Sequence, residues 1–258
     1  MNAIELYARE TPGHAEREAH SRAVLERAAA EHPGSVVLAT SLGAEDQVLA
    51  DMIGRSGLPI AVATLDTGAL HLQTLHLAAR TERHCGIEIE RYLPRAEQVI
   101  HFLREHGDQA MYRSLALRKA CCAVRKLEPL QRLLARRSAW ITGLRRDQSD
   151  GRSELPFSEL GTDGRIKFNP LADWSQADVW WYIQRHGVPY NPLHDEGYPS
   201  IGCAPCTRAI TVGEPFRAGR WWWEQETAKE CGLHVARSAA ATPTAARQPP
   251  HPTAGARP

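Results

Sequence analysis

The stretch SVVLATSLGAEDQVLADMI, residues 35–53, changes its hydrophobic period part-way along. Residues 35–40 form a short β-rich apolar run, whereas in residues 44–53 the apolar positions Val48, Leu49, Met52 and Ile53 recur at helical spacing. A strand, a turn at Gly43 and a helix follow from that switch. The unit then repeats: PIAVATL (59–65) reads as a buried strand, DTG as its turn, and ALHLQTLHLAARTERH (69–84) as a helix. IEIERYL (87–93) alternates as a third strand, RAEQVIHFLREHG (95–107) resumes the helical period, and AWITGL (139–144) reads as a further strand. Strands separated by helices of this length imply an α/β fold with a mostly parallel sheet and helices on both faces. Ligands of such sheets lie beyond the carboxyl ends of the strands, where TSLGAED and LDTG fall.

The rest of the chain fits around this core. A polar, helical arm precedes residue 35, residues 112–137 read as a helical region in which Pro129 permits a kink or restart, and RRDQSDGRS (145–153) is a polar loop. Ser175 caps a helix that runs through Val179, Trp180 and Ile183 and ends at Gly187. Residues 238–258 are low-complexity Ala/Pro/Thr and are expected to be disordered.

Composition narrows the function classes. In 258 residues, 31 basic side chains face 30 acidic ones, a net charge of +1, so no global field draws the chain to nucleic acid or anionic lipid. Anion binding has to be local. The opening residues carry charges and no apolar signal-like run, and no stretch approaches the roughly 18 apolar residues of a membrane span. A soluble cytoplasmic protein is expected.

Six cysteines in a chain of this length are too few for a disulfide scaffold, and favour metal binding or thiol chemistry. Cys203 and Cys206 have the CxxC spacing that places two thiolates on one metal or forms a redox pair. Cys121 and Cys122 are adjacent, so in a regular helix their side chains diverge by about 100°. They converge on one centre only if the backbone distorts. Two pairs of thiolates fit tetrahedral zinc or a four-iron cubane, and a contiguous pair matches the knuckles of zinc ribbons poorly. Lys126, four residues after Cys122, shares its helical face and offsets thiolate charge there. Cys231 has no cysteine near it in sequence, and Lys229 and His234 beside it favour a nucleophilic thiolate, with Glu230 acting in the opposite sense. Cys85 reads as a small buried hydrophobe.

Three further motifs carry candidate binding groups. Thr40, Ser41 and Gly43 stand between a strand and a helix N-terminus, where hydroxyls and free N–H groups hold phosphate-like oxygens. Neither a Walker A sequence nor a GxGxxG fingerprint is present. Asp66, Thr67 and Gly68 form a second strand-end turn, which on these residues alone reads first as an Asx turn closed by its own side chain and second as a ligand site. Arg217 and Arg220, with Arg145, Arg146 and Arg152 of the polar loop, offer forked donors for oxyanions, some of the loop arginines being simply solvated, and the Trp221–Trp223 run anchors a C-terminal segment.

Taken together, CCAVRKLEPL, GLRRDQS, IKFNPLADWS, GYPSIGCAPCTR, GRWWWE and KECGLH resemble the thioredoxin-dependent assimilatory adenylyl-sulfate reductases of the adenylyl-sulfate / phosphoadenylyl-sulfate reductase family. The likeness runs from about residue 35 to His234. It implies an adenine nucleotide alpha hydrolase-like sheet with a mobile C-terminal segment. Residues 1–237 would form a single reductase domain, with an α/β core at 35–210 and a catalytic segment at 211–237. It also implies that Cys121, Cys122, Cys203 and Cys206 hold one [4Fe-4S] cluster, that Lys126 lies between cluster and substrate, and that Arg152, Arg217 and Arg220 bind the phosphosulfate. The nucleophile it implies is Cys231. The implied reaction is reduction of adenylyl sulfate to sulfite and AMP with thioredoxin, in sulfate assimilation; the homo-oligomeric state stays open.

Overall fold

The computed structural model describes residues 2–148, 152–211 and 213–224. Helices α1 (Ala3–Tyr7) and α2 (His14–Glu31) precede β1 (Val36–Thr40). Then come α3 (Ala44–Ser56), β2 (Ala61–Leu65), α4 (Leu72–Cys85), β3 (Ile89–Tyr92) and α5 (Ala96–His106). Two short helices, α6 (Ala110–Arg113) and α7 (Leu115–Cys122), run into a π-helical turn at Ala123–Leu127 and on into α8 (Glu128–Leu134). β4 (Ala139–Ile141), β5 (Ser158–Leu160), β6 (Ile166–Phe168) and α9 (Gln176–His186) complete the regular elements.

The strands form one six-stranded sheet in the order β3-β2-β1-β4-β6-β5. β1 pairs in parallel with both β2 and β4, β6 is parallel to β4, and only β5 runs antiparallel, against β6. This confirms the mostly parallel sheet read from the sequence. Side-chain alternation explains the coverage of both faces. Val36 and Leu38 point into the larger core with α2, α3 and α9, whereas Val37, one residue out of phase, packs with Leu130, Leu133 and Leu134 of α8. The residues before 35 are less of an arm than expected, since Val24, Leu25 and Ala28 of α2 are buried in the same core.

Local sequence sets the ends of the elements as anticipated. Ser175 closes a reciprocal capping box with Asp178, and Gly187 ends α9 in the left-handed region at φ 63°. The strand expected over residues 139–144 is shorter, Ala139–Ile141: the Thr142 N–H still donates to the Phe168 carbonyl of β6 at 3.0 Å, and Gly143 then packs against α3. A Cβ at Gly143 would stand 2.4 Å from the Asp46 carboxylate and 2.8 Å from the Glu45 Cβ. The β5–β6 hairpin was not anticipated; its turn is the TDG sequence at 162–164, with Gly164 at φ 79°.

Chain order now locates the functional edge. After β3 the chain crosses back past β1 and adds β4 on the other side, so the strand order reverses at β1. The crevice at the carboxyl ends of β1 and β4 is the topological switch point of the sheet.

Candidate functional site

A cavity of about 240 Å³ opens at that switch point. Thr40 at the end of β1, Thr64 and Thr67 around the end of β2, and Thr142 after β4 line it. Lys126, Arg152, Arg217 and Arg220 are among its walls, so the cationic residues expected from the sequence do converge.

The β1–α3 turn is held mainly by its own side chains. Leu42 adopts φ 61°, and its N–H donates to Thr40 Oγ1 at 2.9 Å. The Ser41 N–H and hydroxyl both donate to Asp46 Oδ2, at 2.6 and 2.7 Å, and the Gly43 N–H donates to Ser41 Oγ at 3.3 Å. Ser41, read as an anion ligand, thus has its donors engaged by α3. Burial pushes the Asp46 carboxyl up to about 6 in spite of the Ser41 donors. Next to it, Glu45 is desolvated yet held below its ordinary value by Arg145 and Gln148, whose side chains donate to Glu45 Oε1 at 3.0 Å. Arg145, 2% exposed, is a strut tying the loop after β4 to α3. Arg146 likewise stacks over Phe157 at 5.1 Å and donates to the Leu155 carbonyl. Arg152 donates to Gln148 and lines the cavity.

At the β2 end, Asp66 and Gly68 do not line the cavity. Asp66 Oδ1 accepts from the Gly68 N–H at 3.0 Å, so the carboxylate closes its own turn. Thr67 does face inward: it is 1% exposed, and its Oγ1 lies 3.3 Å from Cys203 Sγ.

That contact leads to a second cavity, of about 370 Å³, lined by Cys121, Cys122, Cys203 and Cys206 together. The adjacent pair itself stays helical, with Cys122 at φ −64° and ψ −35° as the last residue of α7, and the expected distortion comes one residue later, in the π-helical turn that begins at Ala123. Opposite them, Cys203 and Cys206 bracket a tight turn in which the Cys206 N–H donates to the Cys203 carbonyl at 2.9 Å. The Ala204 N–H bonds Ala69 O at 2.8 Å and fastens the turn to the β2 loop. All four thiols are 7–8% exposed, and none is in a disulfide.

The spacing of the sulfurs bears on which metal the set fits. Among the described residues, no three of these four sulfurs lie within 4.8 Å of one another. Tetrahedral zinc, with Zn–S of about 2.3 Å, needs sulfurs about 3.8 Å apart. A four-iron cubane takes one thiolate at each of four separated corners and suits the wider set. Burial pushes the Cys206 thiol up to about 12, with Cys203 and Cys122 adding to it, so ionising the set needs nearby cations. Cys203 is desolvated too, but Lys126, the Thr67 hydroxyl, Arg220 and Arg125 outweigh that and hold it below its ordinary value.

Lys126 and Trp221 line both cavities and form the wall between them. Trp221, 1% exposed at φ 42°, is clamped by its N–H to the Cys206 carbonyl at 3.1 Å. Its ring packs against two guanidiniums, Arg118 at 4.7 Å and Arg220 at 4.6 Å. Arg220 reaches Ser200 Oγ and Ile201 O at 3.3 Å, and Gly202 leaves room for it: a Cβ there would be 2.5 Å from Nη2. Trp221 therefore anchors its segment as read, while Trp222 is 40% exposed. Cys231 and residues 238–258 lie outside the described residues.

Sequence reasoning missed His194. It is 7% exposed, lines the first cavity, and packs edge-on against Trp180 at 5.1 Å. Burial depresses its basicity. The signal was a histidine inside the Pro/Gly-bounded run NPLHDEG (191–197), which ends six residues before Cys203.

Residues 35–209 match the family model described as the phosphoadenosine phosphosulfate reductase domain. The chain belongs to this family. The adenosine 5'-phosphosulfate reductase of Allochromatium vinosum is 57% identical over 212 residues, which cover 82% of this chain and 83% of that protein. Among solved structures, the phosphoadenylyl-sulfate reductase from Candida auris, in a phosphate complex, superposes with a TM-score of 0.62 at 30% identity, covering 74% of this chain and 90% of that one. The FMN adenylyltransferase of Candida glabrata shares the fold at 13% identity and a TM-score of 0.54, covering 88% of this chain and 82% of that one. The fold is thus that of the adenine nucleotide alpha hydrolase-like sheets.

Proposed function

We propose that this protein reduces adenylyl sulfate to sulfite and AMP, with Cys231 as nucleophile, a dithiol protein of the thioredoxin type as reductant, and one [4Fe-4S] cluster held by Cys121, Cys122, Cys203 and Cys206. The reading extends to a cytoplasmic enzyme of sulfate assimilation that supplies cysteine biosynthesis. The observation that carries it is the juxtaposition of two cavities, one lined by four cysteines and one by strand-end hydroxyls and arginines, across a wall made of Lys126 and Trp221.

The nucleotide fits the first cavity, its phosphosulfate facing Lys126, Arg152, Arg217 and Arg220. Thr40, Thr67 and the Gly43 turn shape the strand-end rim around it. The Cys231 thiolate attacks the sulfur, the bond from sulfur to the phosphate oxygen breaks, and AMP leaves with that electron pair. The product on the protein is S-sulfocysteine. A thiolate of the dithiol partner then attacks Cys231 Sγ and expels sulfite, and its second thiol resolves the mixed disulfide, returning Cys231 and carrying away the two oxidising equivalents. Fixed cations beside the reacting groups are the protein's main contribution, because an anion is attacking an anion in a partly dry site. When bound, the cluster supplies an anionic, rigid anchor for the two cysteine loops rather than electrons, since the external dithiol delivers both.

Incubating Cys231→Ser enzyme with sulfur-labelled adenylyl sulfate tests the assignment. Label transfer to protein and AMP release are both expected to disappear, and undiminished transfer would overturn the mechanism.

A further inference from the structure

Arg118 is the one described arginine with no exposed surface, 0% accessible, and it does not line the nucleotide cavity. Its guanidinium donates from Nε and Nη2 to the two oxygens of Glu224, at 2.9 and 2.8 Å. The same group lies 4.7 Å from the centre of the Trp221 ring and, with Cys122, lines the four-cysteine cavity. A bidentate arginine–carboxylate pair fixes orientation as well as distance, and breaking a buried one leaves an uncompensated charge. Glu224 is followed seven residues later by Cys231, so the tether limits that thiol to roughly 25 Å of chain from the ion pair.

We propose that Arg118 is a positioning residue: its one guanidinium, shared by Glu224 and Trp221, ties the chain that leads to Cys231 to the four-cysteine cavity. The inference rests on the reading of Cys231 as nucleophile. It gives α7 two tasks, supplying two thiols at its end and orienting the C-terminal strap one turn earlier. Substrate affinity belongs to other residues, so the pair acts on turnover.

The test uses the full iron-replete chain and two variants, Glu224→Gln and Arg118→Lys. In Glu224→Gln, tryptic cleavage after Lys229, followed by mass spectrometry, is expected to accelerate about tenfold and kcat to fall about tenfold, with KM for adenylyl sulfate changed less than about twofold. Its iron content and visible absorption are expected to stay unchanged. Arg118→Lys is expected to show the same two effects and to lose iron as well, because the guanidinium also lines the four-cysteine cavity; the double variant is expected to be no worse than Arg118→Lys alone. Wild-type cleavage and kcat in Glu224→Gln would overturn the inference. That variant swaps one carboxylate oxygen for an amide, and it decides the matter even if Arg118→Lys fails to fold. If the unsubstituted chain released no sulfite, the reaction would be misread, and the cleavage rates would still report on the tether.

Discussion

Replacing Asp46 with asparagine is expected to stabilise the protein at neutral pH. Asp46 is 6% exposed, and burial raises its carboxyl from 3.8 to about 6. The folded state therefore prefers the protonated acid. Its contribution is greatest below the unfolded-state value and is lost as pH rises through about 6. A gap of about two pH units at roughly 1.4 kcal/mol each amounts to about 3 kcal/mol against the wild type at neutral pH. The N-terminus of α3, where Asp46 sits in the first turn, returns roughly 0.5–1 kcal/mol of that through its dipole. Asparagine keeps an oxygen to accept the Ser41 donors at 2.6 and 2.7 Å and carries no charge. Asp46→Asn should then exceed wild type by about 2 kcal/mol, or roughly 4–8 °C in unfolding temperature, near pH 7.5. The advantage should shrink towards zero near pH 4. Anaerobic thermal melts of both proteins across that range measure it. Equal melting temperatures near neutrality, or a gap independent of pH, would show that the Ser41 donors hold the carboxylate charged and that the burial argument fails.

Gly202→Ala places a Cβ against the Arg220 guanidinium, 2.5 Å from Nη2, so the side chain has to swing out of the cavity. Loss of one charge-assisted contact to the substrate is expected to raise KM for adenylyl sulfate by about 10- to 100-fold while iron content holds, as initial-rate kinetics and an iron assay would show. Cys206→Ser removes one of four converging thiols; brown absorption and protein-bound iron are expected to be lost, and full iron retention would refute the ligand assignment.

The parts of the fold legible in the sequence were those in which local chemistry and tertiary demand agree. The change of period after Thr40, the Ser175 cap and the Gly187 stop each express one backbone requirement in one residue type, and all appear where expected. The β5–β6 hairpin was hidden because its strands are three residues each and, unlike the equally short β4, neither sits in a continuous apolar run. Site residues divided along similar lines. The cysteines declared themselves by type and spacing, and both of the adjacent pair line one cavity without leaving the helix, the π-helical turn starting only after them. Arginines did not: Arg145 and Arg152 are neighbours in one loop, yet Arg145 is taken up by Glu45 and Arg152 faces the cavity. Sequence gives the charge of such residues, and only packing gives their direction. His194 escaped for a related reason, since nothing local distinguishes it from a surface histidine before α9 and the strand ends are assembled around it.

Trp221 is a party wall between two rooms. Any change in its indole registers in both rooms at once, so nucleotide affinity and retention of the inorganic group are not independently adjustable at this position. Selection acting on either property would therefore have to work through the surrounding guanidiniums, leaving the ring itself as the fixed point about which they are rearranged.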